Sequence, residues 1–379
     1  VVGGADKGGI LVREGQELKS PATSERLSTG ATIEELELVG ERLHYKLVEG
    51  TGPAEGWVSI AISGKELVVP KEEAGGPGEP GGVEVDEALK AQVEQEAAKH
   101  KEDGALLKYA MKYKILGYPQ AEPKLRVFCF HNAGSAESNY TQPGTALVAW
   151  AKETKAVEVV ALDYPGRDKM LKEKKHTTTD TLAPELLAVV HEMISDGVPY
   201  IIWGHSMGTW VAFEFLILAR KIGLPMPKAA FLMAFPAPHM PVAQRPWHRS
   251  QRLKDDALKE ELLNWDKGHF SGAGKVVFDQ PGWKDTWEPL MRADFRVFDE
   301  YKFKHAGTPK FDFPIHAWHF AEEHYNKAEM IELWRDWTSG DFDHKVMEGM
   351  GHLTCFYKPD LKKKYFQEVV ELMKKHSGI

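Results

Sequence analysis

Cysteine is scarce in this chain: among 379 residues only Cys129 and Cys355 occur. Both lie in apolar segments and are expected as buried free thiols, which excludes a disulfide framework, and no Cys/His spacing suits a metal. Long apolar runs are missing as well. No stretch approaches the roughly 20 residues of a membrane-spanning helix, and the N-terminus lacks the basic-then-apolar layout of a signal peptide. Nor is there an excess of positive charge. Lys and Arg number 48 against 56 Asp and Glu, a net charge of −8 that argues against a general nucleic-acid binder. No internal repeat is found. What remains is the expectation of a soluble, intracellular chain without cofactor or metal; it starts without Met, as a processed or excised piece would.

Apolar residues, by contrast, are plentiful. At 42% they can fill a sizeable core, and the length suggests two to three domains. Residues 1–69 carry short β-like runs, 9–13, 33–39, 43–48, 56–60 and 66–69, separated by Gly-bearing turns, and predict a small five-stranded barrel. Trp57 and Tyr45 in this region could line a peptide groove or simply fill the barrel. Residues 70–86 are rich in Gly, Pro and Glu and read as a linker. A helical connector is expected over 87–118: a polar helix from Glu87 to Lys101, then the more amphipathic 105–111. From 119 to 379, strands near 125–130, 157–162, 199–203, 229–234, 312–318 and 343–348 alternate with helices, as in a doubly wound sheet. An insertion at about 236–308 reads as a helical lid, with Met233, Phe235, Met240, Trp247, Phe270 and Trp283 as candidate pocket walls.

The most informative stretch is Gly204-His205-Ser206-Met207-Gly208. It follows the apolar run Tyr200–Trp203 and opens the amphipathic run Thr209–Leu216, so a G-x-S-x-G pattern sits between a strand and a helix. Such a turn holds a serine hydroxyl clear of the sheet, with the following N–H directed at the same space. A hydroxyl is a weak nucleophile without a base and an orienting acid. His352, in Gly349-Met350-Gly351-His352 between a short strand and the C-terminal helix, is the expected base. The expected acid follows the strand that ends near Phe320; Glu323 is preferred and Glu322 is the second choice. Backbone donors for an oxyanion are expected at Met207 and at Ala133, in the small turn after the 125–130 strand.

These stretches together resemble the type II thioesterases of polyketide and nonribosomal peptide synthesis. The resemblance covers residues 124–375 and is carried by Phe128-Cys129-Phe130-His131-Asn132-Ala133-Gly134-Ser135-Ala136, Asp163-Tyr164-Pro165-Gly166-Arg167 and the Ser206 motif. It continues with Ala237-Pro238-His239, Met291-Arg292-Ala293-Asp294-Phe295, Pro314-Ile315 and the His352 motif. It implies an α/β-hydrolase with a mostly parallel sheet and a helical lid. Ser206 would be the nucleophile and His352 the base, with Ala133 and Met207 as oxyanion donors. The substrate would be an acyl group on the phosphopantetheine of an acyl or peptidyl carrier protein, or a small acyl thioester such as acyl-CoA. Three positions depart from the family pattern: His131-Asn132 for Pro-His, Gly134-Ser135 for Gly-Gly, and glutamate where the family has aspartate. The N-terminal segment resembles an SH3-like domain through Gly56-Trp57-Val58-Ser59, which would imply a peptide or protein partner. The basic run Lys169–His176 is a candidate contact for an acidic carrier. An oxygen-ester esterase, a lipase, an acyltransferase and a catalytically inactive acyl-binding scaffold share the same motifs and stay open at this level.

Overall fold

The computed structural model describes residues 1–69, 76–117 and 119–379. The chain divides into two compact units, Val1–Ala74 with Met240–Leu258, and Gly75–His239 with Lys259–Ile379.

In the first unit, strands β1 (Ile10–Arg13), β2 (Ala22–Leu27), β3 (Thr32–Val39), β4 (Arg42–Glu49) and β5 (Glu55–Ser59) form one antiparallel sheet in the order β2-β1-β5-β4-β3. Ile10, Val12, Leu27, Leu43, Tyr45 and Val58 make its core. Tyr45 is a core residue, fully buried, and its hydroxyl donates to the Pro53 carbonyl at 3.0 Å. Trp57 is half-buried and stacks on His44 with ring centroids 4.9 Å apart. The strand expected at 66–69 is not part of this sheet. Lys65–Glu66 (β7) pairs instead with Ala61–Ile62 (β6), and the fifth place is taken by β2. The sequence Ala-Thr-Ser-Glu-Arg-Leu buries only Leu27, so β2 shows no apolar alternation and is held by backbone pairing to β1.

Met240–Leu258, part of the insertion expected as a lid over 236–308, groups with this first unit. Glu66 explains the attachment: its carboxylate pairs with Arg249 at 2.8 Å and with Arg252 at 3.4 Å. Residues 70–75 of the expected linker, and Tyr118 of the expected connector, lie outside the described residues. The connector helix runs Glu87–Glu102, capped by the Asp86 carboxylate accepting from Leu89 N, and is followed by a short helix at Leu106–Tyr109.

The second unit is built on six strands: β8 (Leu125–Phe130), β9 (Val157–Leu162), β10 (Tyr200–His205), β11 (Ala230–Met233), β12 (Ile315–Phe320) and β13 (Phe342–Met347). Their order is β13-β12-β11-β10-β8-β9, and every neighbouring pair is parallel. The unit is therefore an α/β fold with a parallel sheet. Every residue of β8 to β12 is buried, as a sheet covered by helices on both faces requires. Arg126 in β8 is tolerated there because Glu158 and Asp196 accept from it at 2.8 and 2.7 Å. Residues at the carboxyl ends of β8, β10, β12 and β13 converge on one rim, where open α/β sheets place their sites.

Candidate active site

Ser206 follows β10 directly and precedes the helix Met207–Lys221. Its backbone is strained, with φ 55° and ψ −132°, a region that non-glycine residues rarely occupy. The flanking glycines are required by space. A Cβ on Gly208 would collide with the Phe130 carbonyl, and one on Gly204 would lie 2.9 Å from the Gly208 oxygen. The motif thus lets helix and strands approach within a distance that any side chain would prevent.

His352 and Glu323 come from neighbouring loops that are tied to each other through the backbone. Ala321 N donates to the Met347 carbonyl at 3.2 Å and Glu322 N to the Met350 carbonyl at 2.9 Å. The side chains meet as a relay: Ser206 Oγ lies 2.7 Å from His352 Nε2, and His352 Nδ1 is hydrogen-bonded to Glu323 Oε1. Ser206, His352 and Glu323 are all buried, whereas Glu322 is exposed. The structure brings Glu323 to the histidine and leaves Glu322 in the solvent. Burial acts to raise the Glu323 carboxyl, but His352 and His319 outweigh it and hold the group below its usual value.

Ala133 lines a cavity with Ser206 and His352. Met207 opens the elbow helix, so its N–H belongs to the first turn, whose donors have no intrahelical partner. The turn that carries Ala133 is braced from the insertion. Asp294 accepts from Gly134 N at 2.8 Å and holds the Arg167 guanidinium at 2.6 and 3.0 Å, while Arg167 donates to the Ser135 carbonyl at 2.7 Å. The basic run beyond Arg167 has Lys169 and Lys172–Lys174 exposed and buries Met170; His176 pairs with Glu185 at 2.7 Å.

Two contributors were not legible in the sequence. Asp266 accepts from Leu353 N at 2.6 Å and Thr354 N at 3.0 Å, so it fastens the backbone just after His352. No motif marks it; it is one of many acids in a charged insertion. His205, inside the serine motif, reaches the His352 carbonyl with Nε2 at 2.8 Å. Burial first, and His352 second, depress His205 to about 3, so it stays neutral and donates through Nε2–H.

The cavity at Ser206 is apolar and small, about 30 Å³, and is lined by Leu262, Trp265, Phe270, Met291, Phe295 and Phe298. Of the pocket walls expected from sequence, Phe270 lines it; Met240 and Trp247 belong to the first unit. Such a volume holds about one water and no acyl chain. Among the described residues no group of His, Cys, Asp and Glu could hold a metal ion, and no helix is long and apolar enough to cross a membrane.

The thioesterase domain family matches residues 125–359. Among curated proteins, the gramicidin S biosynthesis protein GrsT of Aneurinibacillus migulanus is 26% identical over 220 residues, 58% of this chain and 78% of that protein. The medium-chain S-acyl fatty acid synthase thioesterase of Homo sapiens is 25% identical over 225 residues, 59% of this chain and 78% of that protein. Among solved structures, the RedJ thioesterase of the prodiginine pathway of Streptomyces coelicolor superposes with a TM-score of 0.56 at 26% identity. That alignment covers 66% of this chain and 87% of RedJ. The type II thioesterase BorB of the borrelidin cluster shares the fold at a TM-score of 0.55 and 24% identity, over 69% of this chain and 95% of BorB.

Proposed function

We propose a function from one premise: this chain belongs to the thioesterase domain family. It is a serine hydrolase that cleaves acyl thioesters, and its substrate is an acyl group on the phosphopantetheine thiol of an acyl or peptidyl carrier protein. The observation that carries this reading is the buried relay from Ser206 Oγ through His352 to Glu323 beside an apolar cavity. The departure from aspartate to glutamate is what favoured an inactive scaffold. The contact of Glu323 with His352 supports a working triad instead.

The relay of Ser206, His352 and Glu323 supports the following sequence of steps. His352 Nε2 accepts the Ser206 proton as Oγ attacks the thioester carbonyl carbon, and Glu323 stabilises the imidazolium that forms. The oxyanion is received by the N–H groups of Met207 and Ala133, each worth about 3 kcal/mol in the barrier. Collapse of the tetrahedral species breaks the C–S bond, and the imidazolium protonates the departing thiol. Water then attacks the acyl-Ser206 ester, giving its proton to His352, and the free acid leaves with Ser206 restored. Arg167 and Asp294 act on this chemistry by fixing the turn that bears Ala133.

We read the N-terminal unit as an SH3-like module with a peptide or protein partner. Its five-stranded antiparallel sheet with a separate apolar core supports the reading.

The test presents one medium-chain acyl group on a phosphopantetheinylated carrier protein and as a p-nitrophenyl ester, to wild type and to Ser206→Ala. Release that requires Ser206 and has a much higher kcat/KM on the carrier is expected. Preference for the ester would move the protein to the esterases, and absence of turnover on both would refute catalysis.

A further inference from the structure

Among the described residues, the Glu323 carboxylate makes hydrogen bonds through Oε1 alone. Oε1 meets His352 Nδ1 and, at 3.4 Å, Asn326 Nδ2. Oε2 is buried with no hydrogen-bond donor among the described residues. His319 lies on β12 four residues before Glu323, is 7% exposed and places Nδ1 3.3 Å from that oxygen. This Nδ1 is also buried without a hydrogen-bond partner among the described residues. The two atoms are within hydrogen-bonding reach of each other, and His319 already acts to lower the Glu323 carboxyl. Left apart, each would keep the full cost of its desolvation. The need for a second anchor is greater for glutamate than for aspartate. Its side chain has one more rotatable bond, and its terminal torsion is broad, so a contact to Oε1 alone leaves the carboxylate free to turn.

We propose that His319 is a positioning residue of this site: its Nδ1–H holds Glu323 Oε2, so that Oε1 stays on His352 Nδ1 throughout turnover. The inference rests on the reading of Ser206, His352 and Glu323 as the triad and extends it to four members. His319 touches no reacting atom and acts through Glu323. Its N–H draws carboxylate charge away from His352, so its loss would concentrate that charge on the oxygen that His352 meets. The other titratable groups around it are Glu323 and His352 on the site side and His344 from β13, with Glu332, Arg335 and Asp343 acting on His344.

The test compares His319→Leu with His319→Asn, two side chains of nearly the same shape of which only asparagine carries an N–H near the position of Nδ1. Acyl release from the carrier protein is measured from pH 5.5 to 9. Loss of the donor in His319→Leu is expected to lower kcat about tenfold with KM unchanged. It should also move the acidic limb of kcat/KM upward by about half a pH unit. His319→Asn should recover most of kcat and return the limb. Equal behaviour of the two variants, or a fall in kcat with the limb unmoved, would assign His319 to packing and overturn the inference. Nitrogen NMR of the wild-type imidazoles decides the matter independently of how the variants fold. A protonated Nδ1 on His319 at neutral pH is expected, and an unprotonated one overturns the inference. A folded wild type without Ser206-dependent release would instead remove the triad reading itself.

Discussion

Glu322 and Glu323 are adjacent, chemically identical and separated in surroundings by which way each side chain leaves the loop after β12. Glu322 is exposed, whereas Glu323 is buried against His352. Glu323→Gln keeps shape and removes the charge that stabilises the imidazolium, so kcat should fall by about 10²–10⁴ with little change in KM. Glu322→Gln should leave both unchanged, and steady-state kinetics on one thioester separates the two. Asp163, in the Asp-Tyr-Pro-Gly-Arg turn, shows the opposite electrostatic situation. Burial first, then Glu137 and Asp168, raise its carboxyl to about 7, against the lowering effect of the Glu137 N–H and Arg167. A folded-state value above the unfolded one means that the charged form destabilises the fold above that value. Asp163→Asn should therefore raise stability at pH 8 by about 1–3 kcal/mol, an advantage that fades as pH falls from 7 towards 4. Chemical denaturation at pH 8 and pH 4 checks the sign.

At the scale of elements, the helix Glu288–Asp299 serves the site twice. Asp294 braces the turn of Ala133, and one turn earlier Met291 covers the cavity beside Ser206. Its pattern is strongly amphipathic, which made the helix readable, but not the face it would turn to the site. The space at Ser206 is only about 30 Å³, and Met291 lines it. Met291→Ala, which removes the thioether over the cavity, should raise kcat/KM for long acyl chains relative to short ones several-fold. It should cost about 2 kcal/mol of stability. A chain-length series of acyl thioesters and a denaturation curve measure the two effects, and an unchanged chain-length profile would show that the chain takes another route.

At the scale of the whole molecule, the two units are interleaved in sequence. Met240–Leu258 leaves the second unit after β11, joins the first through Glu66 with Arg249 and Arg252, and returns. Removal of residues 1–74 should therefore leave Met240–Leu258 without its partners and open to trypsin at Arg249 and Arg252. The same bonds should resist cleavage in the full chain. Limited proteolysis followed by mass spectrometry reads this directly.

Much of the second unit was determined by the sequence alone, because its signals are local. Short apolar runs bounded by turn residues, such as Leu125–Phe130 and Val157–Leu162, mark strands buried on both faces, and Gly204 answers a steric demand within five residues, from Gly208 and Thr209. Ser206, His352 and Ala133 were expected together for the same reason, each following a strand end that the apolar pattern marks, and they line one cavity. Tertiary structure decided what no local pattern carries. The choice of Glu323 over Glu322 depends on the direction of a loop tied to Met347 and Met350. Asp266, Asp294 and His319 reach the site from 87, 160 and 4 residues away from the groups they face, and their residue types are common in any polar segment. The strand Ala22–Leu27 was invisible because it buries a single side chain, Leu27, and otherwise relies on backbone pairing to β1. Periodicity reports which side chains leave water; it does not report which of the remaining polar groups meet when distant segments close on one another.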